Sequence, residues 1–163
     1  MKIRQCSRVS RKAKVSMTQS KHFDVFLSHS HTDALWVEDL AKRLEDEAKL
    51  HVWLDKWVLV PGGQWQQELA RALDQANSCA VCIGEHTPMG WCREEMERAL
   101  NRQTKDSSFR VIPVLLPGAK KEYVDNFLEL RTWVDFSKND PAYAFHLLVS
   151  GIKGQPPGRW PPH

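Results

Sequence analysis

No run of about 18 apolar residues occurs anywhere in the 163-residue chain, so no segment is long enough to cross a bilayer as a helix by itself. The opening residues also lack the apolar stretch of a secretory signal. Cysteine is scarce. Cys6, Cys79, Cys82 and Cys92 make no disulfide framework for a chain of this length, and reduced thiols in a cytoplasmic protein are the expectation. Two phosphate-binding signatures are missing as well. There is no G-x-x-x-x-G-K-[ST], and no G-x-G-x-x-G follows the first apolar run, which argues against a P-loop nucleotidase and an ordinary dinucleotide-binding dehydrogenase. Acid is absent from residues 1–21 ("MKIRQCSRVSRKAKVSMTQSK"), so the net charge of +3 hides two opposed parts. Seven of the 23 Lys and Arg residues lie in that stretch and all 20 acids lie beyond it, which leaves the rest of the chain at −4. Nucleic acid is therefore not an expected partner of the body. The basic stretch reads as a flexible arm. A membrane or nucleic-acid contact, an organellar targeting segment, or an extension ahead of a true start at Met17 are its alternatives.

The remaining length suits one domain with its own core. From residue 23 the pattern alternates short β-rich runs with amphipathic stretches. "FDVFLSH" (23–29) reads as a buried strand, and Thr32 or Asp33 stands where a helix cap belongs. Leu35, Trp36, Asp39, Leu40, Arg43, Leu44 and Glu47 then follow helical spacing. "LHVWLD" (50–55) is a second strand and "KWVLVPGG" (56–63) a loop. Trp65, Leu69, Leu73 and Ala76 form another helical stripe. "SCAVCIG" (78–84) is the third strand, with a helix over 88–103 after it. "RVIPVLLPG" (110–118) is the fourth, with Pro113 pointing to an edge or irregular place. A short helix near 120–128, a strand at "TWVDF" (132–136) and a helix from about 140 to 151 complete the set. Repeated β-then-α units of this length predict an α/β fold with a five-stranded parallel sheet and helices on both faces. The boundaries expected are an arm over 1–21, a domain over 22–153, and a Pro- and Gly-rich tail or linker over 154–163.

In such sheets ligands gather at the carboxyl ends of the strands. Here those ends carry Ser28-His29-Ser30, Asp55 with the loop after it, and Gly84 to Trp91. Cys79, Cys82 and Cys92 with His86 resemble a metal set at a glance. However, Cys79 and Cys82 are three apart in a strand and point to opposite faces, so no metal site is expected. Ser28, Ser30, His29 and His31 lack the nucleophile elbow that a serine hydrolase would need.

"GWCREEMERAL" (90–100) is more pointed. Arg93 with Glu97, and Glu94 with Arg98, pair naturally at four-residue spacing. Glu95 is left with Trp91 and Ala99 as its neighbours, beside a stripe of Cys92, Met96, Ala99 and Leu100. A carboxylate against an indole at a strand's carboxyl end is poised for proton or cation chemistry. Pairing of Glu95 with Arg98, or a simple helix-dipole contact, is the plainer alternative, and spacing leaves both open.

Taken together, "FDVFLSHSHTD" (23–33), "VWLDKWVLVPGGQWQQEL" (52–69) and "CAVCIGEHTPMGWCREEMERAL" (79–100) resemble a TIR (Toll/interleukin-1 receptor) domain of the bacterial NAD⁺-cleaving type. The strands "VIPVLL" and "TWVDF" resemble the family's fourth and fifth, and the likeness runs from about His22 to Ile152. The resemblance implies a flavodoxin-like sheet. It also implies an NAD⁺ glycohydrolase, with cyclisation as a variant, that breaks the nicotinamide–ribose bond with a Glu four residues after a Trp. That motif falls on Trp91 and Glu95. It further implies that Ser28, His29, Ser30, Asp55, Trp57 and Trp65, together with Trp91, line the substrate pocket, with NAD⁺ as substrate and no cofactor. At His29 and Ser30 the sequence departs from the Tyr or Arg of many family enzymes, which leaves the family's phosphate contact open. Partners implied are other TIR domains in head-to-tail assembly through the 56–65 loop, with room for a sensor domain in a longer parent protein. Bacterial defence or cell-death signalling is the implied setting. A non-catalytic TIR–TIR adaptor is the alternative. A phospho-receiver of the same fold class is disfavoured, because Ser28-His29 and Gly84 stand where it needs acids.

Overall fold

The computed structural model describes residues 23–87, 91–120 and 132–161, with the backbone alone at 91–96. The basic arm, Met17 and the helix expected near 120–128 lie outside the described residues.

Strand β1 (Val25–Ser28) is buried throughout, as befits a strand covered on both faces. It is followed by a single 3₁₀ turn and helix α1 (Ala34–Asp46). Strand β2 (Val52–Trp53), a short helix α2 (Asp55–Val58) and helix α3 (Trp65–Gln75) come next. Strand β3 (Ser78–Ile83), helix α4 (Trp91–Lys105), strand β4 (Arg110–Leu115), strand β5 (Val134–Asp135) and helix α5 (Pro141–Lys153) complete the described elements. The sheet is parallel in every pairing, with the order β2-β1-β3-β4-β5.

Side-chain alternation divides the core into two layers. Val25, Leu27, Ala80, Cys82, Ile112 and Val114 face α1 and α5. On α1 the contact is made by Val37, Leu40, Ala41 and Leu44, the stripe one helical face offers. Phe26, Cys79, Val81, Ile83 and Leu115 face the other way, toward Ala72 of α3 and Ala99 of α4. Phe26 and Trp53, opposite each other on β1 and β2, stack with ring centroids 4.4 Å apart and planes only 5° out of parallel. Cys79 and Cys82 sit in different layers and neither forms a disulfide.

Four expectations need correction. Of the edge or irregular place read from Pro113, the edge strand fails, because β4 lies between β3 and β5. Proline is tolerated there because β4's registered pairs with β5 begin only at Val114, so at Pro113 the ladder has a neighbour on one side, where it faces Val81. Residues 56–63 are not wholly loop, since α2 occupies their start. Leu35 and Trp65, read as members of apolar stripes, are 79% and 57% exposed. Asp33 stands at the N-cap of α1, but its side chain makes no capping bond, nor does any side chain cap the turn before it.

Candidate functional site

A sheet ordered 2-1-3-4-5 has its switch point between β1 and β3, where the chain leaves the two strands toward opposite faces and a crevice usually opens. Here a chain of hydrogen bonds joins the loops that follow the two strands. The Gly84 amide donates to Thr87 Oγ1 at 2.8 Å, and that hydroxyl passes its own proton to Asp33 Oδ2 at 2.9 Å. Ser30 Oγ donates to the same carboxylate oxygen at 2.9 Å and is itself 2.6 Å from Thr32 Oγ1. Because Ser30 gives its proton to Asp33, Thr32 must be the donor in that last pair. Asp33 is thus spent on joining the loop after β1 to the loop after β3, 54 residues away. Gly84 makes this approach possible: a Cβ there would lie 2.0 Å from Asp33 Oδ1. Neither Asp33, Thr87 nor Gly84 was marked as more than a cap or a strand end by the sequence. The only local signal is the S-x-T-D spacing of Ser30 to Asp33, which is common in turns.

Among the described residues, open space lies one strand over. A cleft of about 690 Å³ runs between the loops after β1 and β2 and the start of α3, within the size range of small-molecule sites. His29, His31 and Leu35 form one wall, Asp55 and Leu59 another, and Trp65 stands at the side. The His29 side chain is almost fully covered, with Nε2 3.9 Å from Asp55 Oδ1 and Nδ1 3.5 Å from the Leu27 carbonyl. A carbonyl only accepts, so Nδ1 carries the proton in that contact, and the Asp55 contact becomes an ion pair when Nε2 is protonated too.

Of the residues expected at the site, His29, Asp55 and Trp65 therefore meet in one cleft. Ser28 is buried and lines a separate pocket of about 30 Å³, beside Leu69, Leu73 and Arg98. Ser30 is buried in the Asp33 network. Trp57 lies on α2 near Glu38 of α1 instead, beside Lys56, whose Nζ lies 2.7 Å from Glu38 Oε2. The Lys56 hydrogen bond, followed by its charge and smaller effects of Trp57 and Lys42, holds the Glu38 carboxyl below its usual range against an opposing desolvation. This clip anchors α2. Trp91 and Glu95 lie one helical turn apart on α4, a helix that starts beyond the carboxyl end of β3, but their side chains, with Cys92, fall outside the described residues. Because the sheet is parallel, α4 begins on the same rim as the cleft.

Among the described residues no three His, Cys, Asp or Glu side chains are grouped to hold a metal ion, and no helix is long and apolar enough to cross a membrane. Val58 and Val60 stand out to solvent with Leu35 and Trp65, so the α2–α3 connection presents an apolar surface, while Leu59 between them packs into the core.

Solved structures with the same fold include the TIR domain of the Toll-related receptor TRR-2 from Hydra magnipapillata, with 20% identity and a TM-score of 0.61 over 80% of this chain and 98% of that one. The TIR-STING receptor from C. gigas in complex with 2',3'-cGAMP superposes with a TM-score of 0.62 at 15% identity, covering 80% of this chain but only 39% of the receptor. A chain of the RPS4 and RRS1 TIR domain heterodimer gives 0.59 at 14% identity, over 80% of this chain and 95% of that chain. No curated protein matches the sequence significantly. The profile of the family described as TIR domain matches residues 25–149, nearly the whole folded body, and with the parallel 2-1-3-4-5 sheet this establishes that the chain belongs to the TIR domain family.

Proposed function

We propose that this TIR domain cleaves NAD⁺ at the nicotinamide–ribose bond, with Glu95 as the catalytic carboxylate. The observation that carries the reading is the W-x-x-x-E pair on α4, one turn apart and starting on the rim where the His29–Asp55–Trp65 cleft opens. In the reaction the C1′–N bond breaks and its electron pair goes to the pyridinium nitrogen, so nicotinamide leaves neutral and needs no general acid. Positive charge develops on the ribose, and a carboxylate at the α face stabilises it. Water then bonds to C1′ and releases a proton, giving ADP-ribose; capture by the adenine ring instead gives a cyclic product. Trp91 and Trp65 supply flat aromatic faces for the cationic ring and the base. His29, held by the Leu27 carbonyl and Asp55, is the ribose-side hydrogen-bonding group. NAD⁺ is the substrate and no separate cofactor takes part.

Activity depends on assembly with other TIR domains through residues 56–65, where Val58, Val60 and Trp65 are exposed. In a bacterial cytoplasm such a domain serves defence or cell-death signalling, with a sensor in a longer parent chain. The same apolar residues favour the second reading, a TIR–TIR adaptor without catalysis. Nicotinamide release, followed by chromatography over a range of protein concentrations, separates the two. Release that rises steeply with concentration and disappears in Glu95→Ala supports the enzyme. An inert wild type, even when crowded on a bead surface, leaves the adaptor.

A further inference from the structure

Two positions in this fold give up local stabilisation for the same long-range contact. Asp33 stands at the N-cap of α1, where a carboxylate normally satisfies free amides, yet it makes no capping bond. Its Oδ2 takes the hydroxyls of Ser30 and Thr87 instead, each at 2.9 Å. Gly84 is the counterpart at the end of β3. Its φ is not in the left-handed region, so the backbone does not call for glycine there. Space does, because a Cβ at Gly84 would collide with the Asp33 carboxylate.

What that carboxylate holds is a wall of the cleft. The registered pairs of β1 end at Phe26 toward β2 and at Ser28 toward β3, so His29 is the first residue past the ladder. From there His29, His31, Thr32 and Leu35 line the cleft in one short stretch of chain. Within it, Ser30 is tied to the Thr32 and Asp33 side chains, and the Asp33 amide donates to the Ser30 carbonyl at 3.0 Å. Bonds of this kind fix the shape of a turn but not its place. Thr87 supplies the place. Only 4% exposed, it accepts the Gly84 amide and donates to Asp33 through the same oxygen, each bond polarising the other. The turn that carries His29 is thereby tied to β3, which lies between β1 and β4 in the sheet.

We infer that Asp33 and Thr87 are a positioning pair for His29: the Thr87 hydroxyl, acting through Asp33 and Ser30, sets where the imidazole stands between the Leu27 carbonyl and Asp55. The effect on catalysis rests on the cleavage reading above; the placement of the ring does not. Thr87→Val removes the hydroxyl from an otherwise matching shape, and Thr87→Ser keeps it. Asp33→Ala removes the acceptor without costing α1 a cap. In the ligand-free full chain, the imidazole ¹⁵N signals of His29 report its tautomer and hydrogen bonds by NMR. They are expected to show Nδ1 protonated in the wild type and Thr87→Ser, and to shift or broaden alike in Thr87→Val and Asp33→Ala. If either of those two fails to fold, the other carries the test. Nicotinamide release, compared well below each variant's melting temperature, should lose about tenfold in kcat in Thr87→Val and keep the wild-type rate in Thr87→Ser. The double variant should fall no further than Thr87→Val, because both changes cut one tie. Unchanged His29 signals in Thr87→Val and Asp33→Ala overturn the inference, as do an equal loss in Thr87→Ser or losses that add in the double variant. A wild type that releases no nicotinamide removes the cleavage reading instead, and the ring signals alone then decide the positioning.

Discussion

Helix α5 and the α2–α3 segment stand at opposite extremes of how this chain secures its backbone. At α5 every terminus is provided for. Asp140 accepts from the Ala142 and Tyr143 amides at 3.1 Å each, Pro141 occupies the first turn, and Gly154 ends the helix at φ +65°, where a Cβ would be strained. Ala144, Leu148 and Ile152 then bury one face against the sheet. In α2 and α3, neither Leu54 nor Gln64 makes a capping side-chain bond, and of α3 only Ala72 is fully buried. Val58, Val60 and Trp65 stay in solvent. The fold spends its local stabilising devices on the helix that closes the domain, and leaves the segment beside the cleft held by one clip and a few contacts. Segments that must meet ligands or partners are drawn from the less stable parts of a fold.

Two tryptophans give this contrast its sharpest test. Trp53, 2% exposed and stacked on Phe26, is expected to cost about 3–5 kcal/mol on replacement by alanine. Trp65→Ala should alter stability by less than about 0.5 kcal/mol but weaken self-association. Denaturant unfolding and light scattering on the pair read the two effects separately; equal losses of stability would break the comparison. Next in size is Gly84→Ala. Its new methyl would drive into Asp33, at an expected loss of about 1–3 kcal/mol. Fluctuations should increase in both loops of the network, seen as faster amide exchange at Gly84 and Asp33. Asp140→Ala follows at about 1 kcal/mol from a lost cap, set against a change of a few tenths for Gln64→Ala, where no cap exists to lose. Thermal unfolding of the two variants decides that point.

The smallest effect concerns the clip itself. The Glu38 carboxyl titrates lower in the folded chain than its unfolded value near 4.5, chiefly because Lys56 donates to its charged form. The tie is therefore fully present above that unfolded value and fades as the pH falls through the lower folded one. Lys56→Met should flatten the acid limb of the melting-temperature profile while leaving the neutral region nearly unchanged. A parallel acid limb in the variant would show that the clip contributes nothing.

Local sequence was enough for the order of the elements and for the sides their residues take. Alternation in β1 and β3 sends Val25 and Leu27 one way and Phe26 the other, and it separates Cys79 from Cys82 by the same rule. These are consequences of a two-residue period, which any short stretch displays. The W-x-x-x-E motif was legible for a similar reason, since four residues make one helical turn. Solvation was not legible in this way. Trp65 fits a helical stripe on paper, yet whether its face meets the sheet depends on how α2 and the turn after it aim the start of α3.

What tertiary structure alone decided is which loops meet. Asp33 reads as a helix cap from its neighbours, and only the placement of β3 beside β1 brings Thr87 to it. Strand adjacency also makes the cleft beside the loops after β1 and β2, where His29 and Asp55 come together from distant parts of the chain. Pro113 likewise looked like an edge residue because its tolerance rests on how little of β4 the two-residue β5 covers. Periodicity is written along the chain, residue against near neighbour, so the sequence by itself determined the strands, the helices and the two faces of the sheet. Contacts across dozens of residues depend on strand order and loop geometry, and those are settled only when the whole sheet packs.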